Sequence, residues 1–309
     1  MLTFLSHKMP RYLFWFVVVH ISYFSYGQKA KIFTLADFDL SGPVKTCFVI
    51  KDYGKEEFSF NQNGILTKLV TRYNENDYDI TYYKYENEAI REKRVEIYRD
   101  GTFDKQTSIA NIYSVDSIPN GKKITEKIIS YAKEFLDQYE YSYDVNDKLI
   151  QVYRNDGKGI ENTKVSYEEV QGETTISYTI EGELQKTIRT SNRKINPKQK
   201  VVLTKQYFEG KLNTATEQVF NEKANLISEQ KFVYDNKLST FVPEEVSRYT
   251  YNDLGILSEL KIKKAKVELV KKYIYQYDNG VKGNWVKQIV TPDNTYITRK
   301  ITYYEIPSE

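Results

Sequence analysis

One stretch, residues 139–149, shows the pattern on which the fold depends. It reads Tyr-Glu-Tyr-Ser-Tyr-Asp-Val-Asn-Asp-Lys-Leu, so aromatic residues alternate with polar ones before an aspartate, a short polar run and a leucine. Side chains two positions apart in a β-strand lie on the same face, so the three tyrosines share a face. The aspartate can bind backbone groups two residues further on, which favours a turn. The stretch therefore predicts one β-hairpin.

The same unit recurs along the chain as aromatic, any residue, aromatic, then Asp, Asn or Glu, a turn, and an aliphatic or aromatic residue. Its copies are residues 58–66, 83–90, 141–149, 232–238, 249–257 and 275–285, and residues 219–226 are a degraded copy. Aromatic residues on one face pack against the next strand, and each cross-strand pair contributes about 0.2–1 kcal/mol. Serial copies predict an antiparallel meander.

Thr125–Tyr139 fits two patterns. Ile128, Ile129 and Ala132 have near-helical spacing, whereas Phe135 and Tyr139 continue the alternation of the strand that follows. A helix and a strand are both compatible with the stretch, and we predict a strand.

The first 27 residues have the features of a leader that is removed on export. Lys8 and Arg11 precede the apolar run Leu13–Val19, and Ser25 and Gly27 supply small residues at a cleavage site. The run is too short for a membrane-spanning helix, which needs about 20 residues. We expect residues 28–309 to form one elongated β-repeat domain. Its expected destination is the periplasm or the extracellular space of a Gram-negative bacterium.

The composition of residues 28–309 excludes several classes of catalytic and metal-binding site. Both histidines, His7 and His20, lie in the leader, so no imidazole remains for Ser-His-Asp or Cys-His catalysis or for a histidine metal site. Cys47 is the one cysteine, and its apolar surroundings indicate a buried thiol. We therefore assign no catalytic, cofactor-binding or metal-binding residue, and we expect no cofactor.

The near-balance of charge argues against a nucleic-acid partner. The chain has 45 Lys plus Arg and 42 Asp plus Glu, and the basic stretches 189–200 and 261–266 are interpreted as solvated strand faces or loops. No apolar stretch after residue 28 approaches membrane-spanning length. An outer-membrane barrel is not expected either, because rows such as Lys261 and Lys263 would face lipid.

Residues 141–149 and 249–257 resemble the YD-repeat family, the tyrosine-aspartate repeats of bacterial Rhs and wall-associated proteins. The stretch Tyr275–Tyr304, with Gly283-Asn284-Trp285, resembles small exported members of that family. The resemblance implies serial β-hairpins. In large Rhs and Tc-type toxins such repeats form a closed shell around a cargo, but this chain offers only about 20 strands. We expect no shell. MORN-type repeats, whose turns are richer in glycine, are a weaker match.

Three groups of residues are candidate sites. Trp285 and the many tyrosines are interpreted as packing residues in preference to a sugar-binding platform. The adjacent acids Glu56-Glu57, Glu168-Glu169 and Glu244-Glu245 would point to opposite faces of a strand, so none forms the facing pair of a glycosidase. Residues 74–79 hold oxygen ligands but lack the Gly and distal Glu of an EF-hand loop, which indicates a polar turn.

The sequence thus predicts an all-β protein, an elongated antiparallel meander of serial hairpins. We predict a non-catalytic binding or structural module that presents a broad β surface to a protein or glycan partner. A carboxylate-dependent glycan-active enzyme and a protective partner of a secreted toxin are the alternatives. An open meander has two edge strands, so self-association through those edges is a further hypothesis.

Overall fold

The computed structural model describes residues 31–51, 54–86, 89–132, 134–278 and 283–305. The expected leader, residues 1–27, lies outside these ranges. One 3₁₀ helix, Leu35–Phe38, precedes a succession of 20 strands. The strands are β1 (Val44–Lys51), β2 (Gly54–Phe60), β3 (Leu66–Arg72), β4 (Tyr78–Glu86), β5 (Ala89–Arg99), β6 (Thr102–Ile118), β7 (Gly121–Ser130), β8 (Phe135–Tyr143), β9 (Leu149–Asn155), β10 (Ile160–Val170), β11 (Glu173–Ile180), β12 (Glu183–Arg193), β13 (Asn196–Phe208), β14 (Lys211–Phe220), β15 (Leu226–Asp235), β16 (Thr240–Tyr251), β17 (Leu257–Lys264), β18 (Val267–Tyr277), β19 (Trp285–Thr291) and β20 (Thr295–Tyr303).

The strands form a closed barrel. Each pairs antiparallel with the strands before and after it, as the meander prediction requires, and β1 also pairs with β20 through Cys47 opposite Ile301 and Val49 opposite Arg299. The all-β prediction is confirmed. The predicted meander of serial hairpins is compatible with this strand order, but the expectation of two free edge strands is wrong, because the first strand pairs with the last. The hypothesis of self-association required two free edge strands, and in the closed barrel β1 and β20 pair with each other instead.

Four turns at one end of the barrel share a single hydrogen-bond pattern. Oδ1 of the first residue accepts the backbone N–H groups two and four positions later, at 2.9–3.1 Å. The residue three positions later has a positive φ, and a leucine five positions later pairs with the aromatic residue before the turn across a bulge. The first residues of these turns are Asn61, Asp144, Asn221 and Asn252. The sequence unit is therefore a hairpin-closing device, and its degraded copy at 219–226 is complete.

Tyrosine hydroxyls connect successive units at the same end. Tyr167 donates to the carbonyl oxygen of Leu149 at 3.0 Å, Tyr251 to that of Leu226 at 2.7 Å, and Tyr275 to that of Leu257 at 2.8 Å. In all three cases the acceptor is the leucine that begins the returning strand of a preceding turn. Tyr251 and Tyr275 belong to copies of the motif and so have a second role besides packing, because each hydroxyl fixes its strand to the turn already made.

Two details of the sequence interpretation are settled by the strand positions. Residues 125–139 lie in β7 and β8 with a turn between them, which confirms the strand over the helix. The proposed copy at 232–238 is wrong, because β15 runs away from the motif end and its turn lies at the other end of the barrel. There Asp235 accepts the N–H groups of Lys237 and Leu238, and Leu238 is exposed instead of entering the next strand.

The residues before β1 identify which face of the sheet is the inner one. Phe33 contacts Tyr83 of β4, Phe38 contacts Phe58 of β2, and Ser41 binds Asn284 just before β19. From β4 to β19 through the seam is five strand spacings, about 24 Å along the sheet. The 3₁₀ turn shortens this nine-residue segment, and the shorter path between two points of a curved sheet lies on its concave side. The face that carries residues such as Cys47, Tyr141 and Tyr275 is therefore the inner face, and the opposite face is the outer face.

Burial of the inner face is uneven around the barrel. Barrels of about 16 strands or more are too wide to be filled by their own side chains. Two clusters are buried on the inner face, one under residues 33–44 and one centred on Tyr141 and Tyr143. By contrast β12, β13 and β18 contain no fully buried residue. Over these strands the sheet is thus a single layer whose two faces are at most partly buried. Within the described ranges, no helix is long and apolar enough to cross a membrane.

Gly64 and Gly255 occupy the same position in equivalent turns and differ in what surrounds them. Comparing them distinguishes the effect of backbone strain from that of packing. Gly64 and Gly255 have φ values of +73° and +79°. A Cβ on Gly64 would lie 3.0 Å from Cδ1 of Leu35 in the N-terminal segment, whereas a Cβ on Gly255 meets nothing within 4 Å.

We expect Gly255→Ala to lower the free energy of unfolding by about 1 kcal/mol, the cost of a left-handed alanine. We expect Gly64→Ala to cost roughly 1–3 kcal/mol more, because the added methyl also displaces Leu35. Urea unfolding followed by far-ultraviolet circular dichroism measures both. Equal losses in the two variants would show that the N-terminal segment does not rest on this turn.

Candidate binding surface on the inner face

A carboxylate is held by three donors on the inner face. Glu126 of β7 accepts hydrogen bonds from the amide of Asn111 at 2.7 Å, the hydroxyl of Tyr113 at 2.7 Å and the hydroxyl of Tyr141 at 3.1 Å. The strand register places these four residues on adjacent strands with one facing direction. Burial, reinforced by the neighbouring Glu126 carboxylate, raises the pKa values of Tyr113 and Tyr141 well above the ordinary tyrosine value. Both hydroxyls therefore remain protonated donors at neutral pH.

A second carboxylate lies on the inner face, on strand β15. Glu229 is 4% exposed, accepts the amide of Gln218 at 2.7 Å and lies 3.8 Å from Nζ of Lys231. Burial, and then Glu229, raise the pKa of Tyr249 on the next strand. The carboxylate is thus engaged by an amide and a cation, which is what a buried charge requires.

The N-terminal segment is attached to the inner face by an arginine. Nη2 of Arg299 on β20 donates to the carbonyl oxygen of Phe38 at 3.0 Å, and the guanidinium carbon lies 3.3 Å from the ring centroid of Trp285. Burial lowers the pKa of Arg299 to about 10, so the side chain is still charged at neutral pH. A cation against an indole face and a backbone carbonyl is stabilised without an acid partner. Arg299 therefore joins the seam of the barrel to the segment inside it.

Asn284 makes a second attachment beside the first. Its Oδ1 accepts the N–H of Ser41 at 2.8 Å, and its Nδ2 donates to the carbonyl oxygen of Ser41 at 2.9 Å. Nδ2 also lies 3.0 Å from the hydroxyl of Tyr303. The Gly283-Asn284-Trp285 motif thus has a local meaning: the asparagine pairs with the backbone of the segment, and the tryptophan, 4% exposed, lies under Arg299. The indole has no free face for a sugar ring.

The remaining sequence candidates are dispersed or engaged. Cys47 is 1% exposed, and burial raises the pKa of its thiol, partly offset by Arg299. Glu56 binds Lys51 on the inner face, whereas Glu57 lies on the outer face opposite Phe48. The same division separates Glu168 from Glu169.

Glu244 and Glu245 flank a bulge and bind different lysines, Lys264 at 3.0 Å and Lys231 at 2.9 Å. In the polar turn, the oxygens of Asn74 and Asp77 accept backbone N–H groups. Over the described part of the chain, no group of three or more His, Cys, Asp or Glu side chains is arranged to hold a metal ion.

Glu126, Glu229 and Arg299 were not among the residues predicted from the sequence. Glu126 lies between Ile124 and Ile128, and Arg299 between Ile297 and Ile301, whereas Glu229 has Lys231 as one of its neighbours two positions away. An interrupted apolar row is the signal that could have identified Glu126 and Arg299. Their partners could not be predicted, because they lie on other strands or, for Arg299, in the segment inside the barrel.

Comparison with known proteins gives little further information. No family model matches the chain, and no curated protein matches it. The resemblance to YD-repeat proteins therefore depends on the motif residues alone. Among solved structures, a porin-like protein from Bacteroides uniformis is similar at 12% identity and a TM-score of 0.32, over 84% of this chain and 97% of the other. A porin-like protein from Bacteroides vulgatus is similar at 9% identity and a TM-score of 0.24, over 85% and 99%.

Because of the inner-face tyrosines, the free energy of unfolding is expected to change with pH in the alkaline range. A tyrosine whose pKa is raised on folding stabilises the protein below the unfolded value of about 10, and that contribution is lost as the pH rises towards the folded value. We expect the free energy of unfolding to decrease above about pH 10. We also expect Tyr141→Phe to weaken that decrease, because phenylalanine has no proton to lose. Tyr296→Phe, at a tyrosine that is 55% exposed, is the control. Urea unfolding at a series of pH values tests this, and identical slopes in both variants would contradict it.

Proposed function

We propose that the mature chain is an exported, non-catalytic binding or structural protein, a closed barrel that presents a broad β surface to a protein or glycan partner. One observation carries this proposal. Three charged groups on the inner face are held by structural partners: Glu126 by two tyrosines and an asparagine, Glu229 by Gln218, and Arg299, whose Nε lacks a hydrogen-bond partner, by Trp285 and a backbone carbonyl. An acid that serves catalysis needs a position beside a substrate and a proton to exchange. These carboxylates instead serve as acceptors inside the wall.

The outer face supports a location in water and not in lipid. Charged residues occur in the middle of its strands, such as Lys68, Arg94, Lys127 and Glu140. Arginine or lysine on the lipid face of a membrane barrel costs about 2–4 kcal/mol at the bilayer centre. A barrel with such residues on many strands is therefore stable only when its outer face is solvated. Together with the leader, this favours an exported protein that stays in solution.

We expect the mature protein, released from its own cells, to partition into the aqueous phase when a cloud-point detergent separates. The charged outer face gives the detergent no continuous apolar band to cover. Immunoblotting of the two phases measures the distribution, with a known outer-membrane barrel of the same cells as the detergent-phase control. Recovery in the detergent phase would contradict a solvated outer face.

A pull-down from the native cells, run beside a glycan array, tests the binding role. The tagged chain 28–309 is the bait, and the tag alone is the control. We expect a partner that is retained through washing, and no turnover of any glycan that binds. A chain that elutes alone and binds no glycan would contradict the proposal. Glycan hydrolysis that is lost in Glu126→Gln or Glu229→Gln would replace it with an enzyme.

A further inference from the structure

The outer face around the seam of the barrel has an excess of cations. On strands β19, β20 and β1 to β4 the outward positions include six basic residues: Lys55, Lys68, Arg72, Lys84, Lys287 and Lys300. The outward acids on the same strands, within the described ranges, are Glu57 and Glu86. We call this surface the seam patch. It exists only in the closed barrel, because β19–β20 and β1–β4 come from opposite ends of the chain.

Three of the six cations of the seam patch lie over tyrosine rings. Nζ of Lys68 lies 5.8 Å from the ring centroid of Tyr82, the guanidinium of Arg72 lies 4.8 Å from that of Tyr78, and Nζ of Lys287 lies 5.4 Å from that of Tyr296. A cation over an aromatic face keeps its charge and its outward donors. These side chains are thus positioned and still able to bind an external anion.

The patch also contains a pairing that does not help the fold. Lys55 and Arg72 lie directly opposite each other on β2 and β3, on the outer face. Like charges in opposite positions destabilise a sheet pair. The same row of opposed residues continues from Lys55 through Ile50 and Thr298 to Lys287. No acid lies between Lys55 and Lys287 in this row. An anionic partner would remove the repulsion.

We propose that the seam patch binds an acidic polysaccharide, with its lysines and arginine on the carboxylate groups and its tyrosines and threonines on the sugar rings. The proposal builds on the exported binding role above and names its partner class. Charge complementarity supplies the attraction. Along the row Lys287, Thr298, Ile50, Lys55 and Arg72, neighbouring strands are about 4.8 Å apart, so Lys55 and Arg72 are adjacent and Lys287 lies three strand spacings from Lys55. Tyr82 and Tyr296 are exposed at this surface and can contact sugar rings, whereas both faces of Tyr78 are covered, by Arg72 and by Tyr98.

The opposite side of the barrel provides a matched control surface. The outer positions of β10–β14 include Lys164, Arg189 and Lys205 but also Glu168, Glu173 and Glu217, and Arg189 lies 3.6 Å from Glu173. Replacing its three cations by glutamine changes the net charge as much as replacing three cations of the seam patch. The two triple variants therefore separate a local site from the overall charge.

The experiment measures binding of a polyuronate oligosaccharide to the full mature chain by calorimetry at low and at physiological salt. We expect the triple variant Lys55→Gln, Lys287→Gln and Lys300→Gln to bind about tenfold more weakly, since each exposed cation contributes a fraction of a kcal/mol. We expect the triple variant at Lys164, Arg189 and Lys205 to stay within about twofold of the unchanged chain. Circular dichroism checks folding, and the three single variants replace the triple one if it does not fold.

Several outcomes would overturn the proposal. They are no binding of the polyuronate, equal weakening in both triple variants, or tighter binding of duplex DNA or of phosphatidylglycerol vesicles than of polyuronate at the same salt. Neutral dextran tests whether charge is needed, and dextran binding of equal strength would also overturn it. A protein captured in the native pull-down while the polyuronate fails to bind would leave the binding role in place and remove only this partner class.

Discussion

The bond between an asparagine or aspartate side-chain oxygen and two backbone N–H groups is the interaction on which the rest of the molecule depends. It recurs in the same geometry at Asn61, Asp144, Asn221 and Asn252. Each copy fixes where a strand ends and which leucine begins the next strand. Because side chains alternate between faces, a slip of one residue would turn every tyrosine of that strand outward. The turn therefore determines the composition of both faces.

Much of the local structure follows from the sequence, and the global structure does not. Alternating aromatics and Asx residues predict strands and turns because both effects act within about ten residues. The same residue pattern also led to the false copy at 232–238. There the aromatic and Asx residues recur, but the strand runs away from the end of the barrel at which the other motif turns lie. Closure depends on the sum of many small twists and on the match of Cys47 with Ile301. No local pattern carries that information.

On the inner face, burial follows from neighbouring residues, whereas contacts between strands do not. The buried position of Cys47 follows from its apolar neighbours alone. The network at Glu126 does not, because its donors lie on β6 and β8 and meet only when the register is known. Tyrosine itself has two uses that composition cannot distinguish. On the inner face Tyr251 donates its hydroxyl to a carbonyl, and on the outer face Tyr78 carries a guanidinium over its ring.

The seam has a consequence for how the chain reaches its final form. The hydroxyls of Thr46 and Thr302 meet across it although the residues are 256 positions apart. Until the last strand is available, the first keeps a row of unpaired amide and carbonyl groups, and such rows recruit strands from other molecules. A chain truncated before residue 295 would keep two such rows permanently. The presence of the final strand thus decides whether the chain closes into a monomeric barrel or pairs its free edges with those of other molecules.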